Sequence, residues 1–160
     1  MKEKIDATDI MILTELRNNC KRPVRELAKD LRVHPNTLLQ RIKKLETRGV
    51  IRNYQANIDY HELGYDLHAI VMIKITRRGL EDPNLLKEVA HIPEVEALYA
   101  TTGTADVIAL VRAENQAKLL DVLKQIQTQE KVARTTSHLI LITYKYPYEF
   151  NPLSQKLKKK

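Results

Sequence analysis

The chain has 160 residues, 43% hydrophobic and 29% charged, the balance of a globular protein and not of a disordered one. No apolar run is long enough for a transmembrane helix, and the opening MKEKIDATD has no apolar stretch behind its lysines, so no secretory signal is expected. The net charge of +7 is uneven: residues 1–60 hold 13 Lys+Arg against 8 Asp+Glu, residues 61–153 hold 10 against 12, and the closing SQKLKKK adds four lysines. Basic ends around a mildly acidic middle point to a polyanion-binding module joined to a neutral partner domain, with a merely solubilising surface as the alternative. Cys20 is the single cysteine and cannot form an internal disulfide, so a cytoplasmic protein is expected.

Up to about residue 50 the apolar spacing is helical. Ile5, Ile12, Leu13 and Leu16 set a first helix, with Asp6 placed to cap it. Asn18, Asn19 and Pro23 interrupt that pattern. Val24, Leu27, Ala28 and Leu31 then recur at i, i+3, i+4 and i+7, a second helix of about two turns. After a short connection at Arg32-Val33-His34, Pro35 suits the first position of a third helix. That helix is expected to turn Leu38, Ile42 and Leu45 inward and to stop at Gly49.

From Val50 the period becomes two. VIRNYQANI and LHAIVMIKI read as strands, joined through a turn at Gly64. EDPNLLKEVAHI reads as a helix through Leu85, Leu86 and Val89. VEALYATT and DVIALVRA read as strands around TGTA, NQAKLLDVLKQIQT as a helix through Leu119, Leu120, Leu123 and Ile126, and TTSHLILITY as a last strand. Residues 67–145 therefore run β-α-β-β-α-β, the ferredoxin-like order. These strands are apolar on both faces: Val107, Ala109 and Val111 back onto Ile108 and Leu110, and Ile70 and Met72 onto Val71 and Ile73. Ile140 and Ile142 likewise back onto Leu139 and Leu141. Two helices cover one face only, so the other is expected to meet a second copy of the chain in a twofold dimer, with a bound apolar cofactor as the alternative.

Two short helices with a tight turn and a basic second member have the form of a helix-turn-helix, whose second helix enters the major groove. The outward stripe is read as Asn36, Thr37, Gln40, Arg41, Lys44 and Arg48. Asn and Gln can pair with adenine and Arg with guanine. Lys43, Arg52, and Arg25 on the preceding helix are candidates for phosphate contact.

Glu26-Leu27-Ala28 followed by Arg41-Ile42-Lys43-Lys44-Leu45-Glu46-Thr47-Arg48-Gly49-Val50-Ile51 resembles the DNA-binding half of the Lrp/AsnC family of transcriptional regulators. Ile5-Asp6-Ala7-Thr8-Asp9 is similar to the family's opening of helix 1, and the resemblance covers essentially the whole chain. It implies an α+β protein, with a (winged) helix-turn-helix followed by a ferredoxin-like ligand-sensing domain. The expected division is 1–52 for DNA binding, 53–66 for a connecting strand and hinge, 67–146 for sensing and oligomerisation, and 147–160 for a basic tail. The resemblance further implies dimers that assemble into octamers, regulation of metabolic genes, and a small amino acid bound between dimers.

For that effector, Gly103-Thr104-Ala105-Asp106 stands where the family has its Gly-x-x-Asp loop, and Thr135 and Ser137 stand at its Thr-x-Thr positions. Backbone N–H groups at Gly103 and Thr104 would receive an α-carboxylate and Asp106 an α-ammonium. An ordinary hairpin turn with strand-surface hydroxyls is the other reading of the same residues. Three departures stand out. The tail after Tyr144, KYPYEFNPLSQKLKKK, runs past the last strand, and its lysines are expected to form a disordered tail that adds nonspecific DNA attraction. His34 occupies the position of a usual serine before Pro35, where it would cap weakly or touch a phosphate, and Ala105 stands where many members have an aromatic residue.

An enzyme is not expected. The family's catalytic relatives, the sirohaem decarboxylases, need His and Arg around an apolar cavity, whereas His34, His61, His68, His91 and His138 are scattered. They have no metal-ligand spacing, and Cys20 has no histidine beside it. No metal or cofactor is expected. An architectural DNA-wrapping protein with little sequence preference is the closer alternative, and the base-reading set on the third helix argues against it.

Overall fold

The structure is a computed structural model that describes residues 4–77 and 83–153, the side chains of 83 and 85 excepted. The chain forms two compact units, one of Met1–Asn57 with Lys145–Lys160 and one of Ile58–Tyr144. The lysine-rich end of the expected basic tail lies outside the described residues from 154 onward.

In the first unit, α1 spans Ala7–Asn18, α2 Val24–Asp30 and α3 Pro35–Thr47. Asp6 and Asp9 form a reciprocal capping box: Asp9 N donates to Asp6 Oδ1 at 2.8 Å and Asp6 N to Asp9 Oδ2 at 3.1 Å. Ile12, Leu27, Ala28, Leu38 and Leu45 are buried together, with Ile42 and Ile51 packed against them. Arg22 fastens the first two helices, bonding Glu15 of α1 at 2.6 Å and also Asp30 of α2.

The turn between α2 and α3 closes as a Schellman motif, with Arg32 N donating to Lys29 O at 3.1 Å and Val33 N to Ala28 O at 3.0 Å. That geometry requires a left-handed residue, and Arg32 takes it with φ 53°. Gly49 plays the same part after α3 with φ 67°, a conformation its missing Cβ makes easy. Arg32→Gly should therefore stabilise the head by roughly 0.5 kcal/mol, relief of the left-handed penalty outweighing the added freedom of the unfolded chain. A lower urea midpoint would instead mean that the Arg32 side chain contributes more than the strain costs.

Two expectations fail here. Residues 50–58 form no strand, and among the described residues no hairpin follows α3, so there is no wing. The alternation in VIRNYQANI is real, but a strand exists only where a neighbouring backbone completes its ladder, and none does so.

In the second unit a 3-10 turn at His61–Leu63 ends at Gly64 and leads into β1, Leu67–Ile75. Then come α4 (Pro83–Ala90), β2 (Val95–Ala100), β3 (Val107–Ala113), α5 (Gln116–Gln127) and β4 (Val132–Leu139). The sheet order is β2-β3-β1-β4, all antiparallel, as the ferredoxin-like order demands. One face carries Ala69, Val71 and Ile73 with Val107, Ala109 and Val111, sealed by Val89 of α4 and by Leu119, Val122 and Ile126 of α5. Leu120, expected inward, is 48% exposed, because the buried stripe of α5 runs 119, 122, 126. The side chain of Leu85, also expected inward, lies outside the described residues. β4 starts earlier than expected and ends at Leu139, after which only Ile140 N reaches β1, donating to His68 O at 2.8 Å.

Among the described residues no helix lies on the second sheet face. Ile70 and Met72 of β1 lie across from Leu110 and Ile108 of β3, and all four stay partly exposed. At one end of this face Arg112 bonds Glu96 at 3.0 Å and stacks over the Tyr60 ring. His68 is shielded there with Nε2 3.3 Å from Glu96, and burial first, then the Arg112 charge, lowers its pKa against the pull of Glu96.

Candidate functional site

Because Leu38, Ile42 and Leu45 turn α3 inward, its opposite face is set by geometry. Asn36, Gln40, Lys43 and Thr47 follow at i, i+4, i+7 and i+11, and all four are exposed. Thr37 and Lys44 flank that line on one side and Leu39, 48% exposed, on the other. The sequence reading omitted Leu39 and Thr47, although the same heptad count that buries 38 and 45 places both on the outer half. His34 caps the helix, its Nδ1 accepting from Asn36 N at 3.2 Å. Arg25 and Arg52 are exposed, and Arg48 is the half-buried C-cap.

Arg41 departs from the expected outward stripe. Its Nη1 lies 2.7 Å from Asp6 Oδ2 and 2.8 Å from Asp9 Oδ1, so it ties α3 to the capped end of α1. The bond to Asp6, then that to Asp9, raises the guanidinium pKa further. Arg41 sits at the margin between the outer and buried faces, and the two carboxylates draw it inward. The opposite margin holds Glu46, whose Oε1 accepts from the Tyr54 hydroxyl at 2.8 Å. Burial and that carboxylate push the hydroxyl up to about 12, so it remains a donor.

The loop before β3 is a closed structure. Thr101 N donates to Asp106 O at 2.9 Å, Thr101 Oγ1 to Ala105 O at 2.9 Å, and Gly103 turns the chain with φ 108°. Gly103 and Thr104 are exposed at its tip. Asp106, however, is engaged by its own chain, accepting from Ile75 N at 2.9 Å and pairing with Lys74 Nζ at 2.8 Å. Thr135 pairs with Ile73 on the far side of β1, while Asp106 N bonds Ile73 O from the near side. The loop and the two hydroxyls are therefore about two strand spacings, roughly 10 Å, apart, and one protomer does not bring Ser137 and Thr135 onto the loop.

Lys74 is the partner the sequence reading missed; the one charge inside LHAIVMIKI was its signal. The Lys74 bond, then that from Ile75 N, holds the Asp106 carboxyl below the usual aspartate range. A depressed carboxylate stabilises the fold at neutral pH and loses that contribution as pH falls through its folded value. Asp106→Asn should thus lower the melting temperature at pH 7, and the difference from the wild type should close below about pH 4. A difference that stays constant from pH 7 to 3 would remove the ion pair from the account.

Among the described residues no three His, Cys, Asp or Glu side chains are grouped to hold a metal ion, and no helix is long and apolar enough to cross a membrane. Cys20 is exposed.

Comparison with known proteins finds two family domains in the chain. Residues 5–46 match the AsnC-type helix-turn-helix domain and residues 68–150 the Lrp/AsnC ligand binding domain. The HTH-type transcriptional regulator LysM of Saccharolobus solfataricus is 35% identical over 140 residues, 88% of this chain and 96% of that relative. The solved structure of E. coli AsnC aligns with a TM-score of 0.84 at 28% identity, over 90% of this chain and 97% of that one. A feast or famine regulatory protein from M. tuberculosis, complexed with L-methionine, aligns with a TM-score of 0.83 at 30% identity and the same coverage. With both halves matched in order, the chain belongs to the Lrp/AsnC family and is a DNA-binding transcriptional regulator.

Proposed function

We propose that this regulator reads specific sequences in metabolic-gene control regions as a dimer or larger ring, and that a small amino acid modulates it. The carrying observation is the exposed line Asn36, Gln40, Lys43 on a helix whose other face is locked into a core. A helix so held presents amides to adenine edges and lysines to phosphates, and Leu39 is placed for a thymine methyl. Arg41, expected to read guanine, takes no part in this assignment. A dimer joined through the uncovered sheet face would carry two reading heads, and two third helices in successive major grooves lie one helical turn apart on DNA.

The effector reading rests on the exposed tip at Gly103 and Thr104 and on the methionine-bound relative. An α-amino acid carries the two charges of the Lys74–Asp106 pair. It would insert between them, ammonium on Asp106 and carboxylate on Lys74, and Thr135 or Ser137 would come from another protomer. Such a ligand shifts assembly only by its differential affinity for the two arrangements.

Selection of bound duplexes from a random pool at moderate salt tests the proposal. A recovered near-palindrome with half-sites about ten base pairs apart is expected, and its loss in Asn36→Ala/Gln40→Ala assigns the reading to α3. Tight salt-sensitive binding without enrichment would replace sequence reading by architectural wrapping.

A further inference from the structure

The chain passes between its two units twice, and each passage is fastened at both ends. On the first, the Tyr54 hydroxyl donates to Glu46 of α3 at 2.8 Å, and Ile51 before it packs on the head core. Further on, Tyr60 is held on the sheet unit. The Arg112 guanidinium lies 5.3 Å from its ring centre, and Tyr65 meets that ring edge-on at 6.0 Å. Arg112 is itself fixed, its Nε and Nη2 donating to Glu96 Oε2 at 3.2 and 3.0 Å. Between these anchors, residues 55–58 make no hydrogen bond, ion pair or ring contact among the described residues.

The return passage has the same plan. Ile140 N, donating to His68 O at 2.8 Å, is the last tie to the sheet among the described residues. The strap 145–153 then folds on the head unit. Its Tyr146 and Tyr148 rings stack 5.1 Å apart, and Arg17 Nη2 of α1 donates to Tyr148 O at 2.6 Å. Leu153, half-buried, lies in a groove of about 430 Å³ bordered by Leu13, Leu16 and Tyr54, so one tyrosine serves both passages. Residues 141–144 make no hydrogen bond, ion pair or ring contact among the described residues.

From these anchors we infer that Tyr54 and Tyr60, with the strap held by Arg17 and Leu153, are positioning residues that restrict the half-site spacing this regulator accepts on DNA. The inference rests on the dimeric, sequence-reading proposal above. Each free run spans at most roughly 20 Å between its anchors. A head on one such run swings about it, whereas a head on two cannot turn far without stretching one of them. Two heads of a dimer engage one duplex together only where their tethers let both third helices reach their grooves. Each base pair added between half-sites moves the second groove by about 3.4 Å and turns it by about 35°. Short double fastening therefore converts half-site spacing into affinity. None of the four side chains lies on the exposed line of α3, so the bases preferred within a half-site are set separately.

The test uses the full chain and the near-palindrome selected by the wild type, rebuilt with five extra base pairs between its half-sites. Affinity for each duplex, and for a single half-site, is read by fluorescence anisotropy. The wild type should bind the lengthened duplex at least about tenfold more weakly, since half a turn carries the second half-site to the opposite side. Tyr54→Phe/Tyr60→Ala should narrow that ratio to about threefold, and Arg17→Ala/Leu153→Asp should do the same. All four changes together should bring it within about twofold, while single half-site affinity stays within about twofold of wild type throughout. A melting curve for each variant establishes that the head is folded; should the combined variant be unfolded, Tyr54→Phe/Tyr60→Ala decides alone. Wild-type discrimination in the released variants overturns the inference, and so does a matching loss of single half-site affinity. A wild type that selects half-sites but ignores their spacing overturns it alone, and one that selects no sequence strikes it together with the reading beneath it.

Discussion

Arg41→Ala should destabilise the DNA-binding unit by about 2 kcal/mol and weaken all DNA binding alike, without changing which bases are preferred. The reason lies in what the substitution leaves behind. Asp9 is 8% exposed and its carboxylate also closes the cap of α1, so removing Arg41 strands a charge that little water can reach. Asp6 is half exposed, and its share of the loss is at the small end typical of surface pairs. Arg41→Lys should recover part of the loss, since one ammonium can reach one carboxylate but cannot present two guanidinium donors. In a double-mutant cycle with Asp9→Asn, the coupling should be about 1 kcal/mol or more.

The same contact makes a pH prediction. The Asp9 backbone N–H, then Arg41, holds the Asp6 carboxyl below the usual range. Its contribution is therefore complete at neutral pH and disappears as pH falls through the folded value, below about pH 4. Urea unfolding of wild type and variant at pH 7 and at pH 3 measures both effects. Equal stability at pH 7 with an altered half-site motif would return Arg41 to the base-reading set.

What the sequence revealed and what it hid separate along a physical line. Features that depend on local spacing were legible. The Asp6 cap, Pro35 at the head of α3, Gly49 at its end and the two-residue alternation of β1 and β3 all follow from neighbours within a few positions. Features that depend on a distant partner were not. Arg41 finds its carboxylates 32 and 35 residues away, and Asp106 finds Lys74 at 32. In each case one residue of the pair carries another reading from its own neighbours, Arg41 as a base contact and Asp106 as a ligand contact. The doublet Leu119-Leu120 hid the stripe of α5, since neighbours about 100° apart both fit an apolar face, and the fully buried Val122 and Ile126 lie on the Leu119 side. The strap 145–153 left no periodic signal, and only the folded chain places it on the first unit.

The substitution with the largest expected effect is Leu38→Ala. Leu38 is completely buried on α3 and touches the shared core of all three helices, so its removal loses transfer energy and opens a cavity, together about 3 kcal/mol. A core centred on five buried residues belongs to a small unit, and small units hold little stability in reserve. The sheet unit has a core of its own around Val71, Ala109 and Val122, which includes no residue of the head. Leu38→Ala should therefore split thermal unfolding into two transitions, the head melting early and the sheet where it does in the wild type. DNA affinity should collapse while any self-association through the sheet face persists. Leu120→Ala, at an exposed position of α5, is the control and should leave both transitions within about 0.5 kcal/mol of their starting values. If Leu38→Ala instead lowers one common transition, the two cores unfold together, and communication between sensing and reading would then run through stability shared by the whole chain rather than through the assembly.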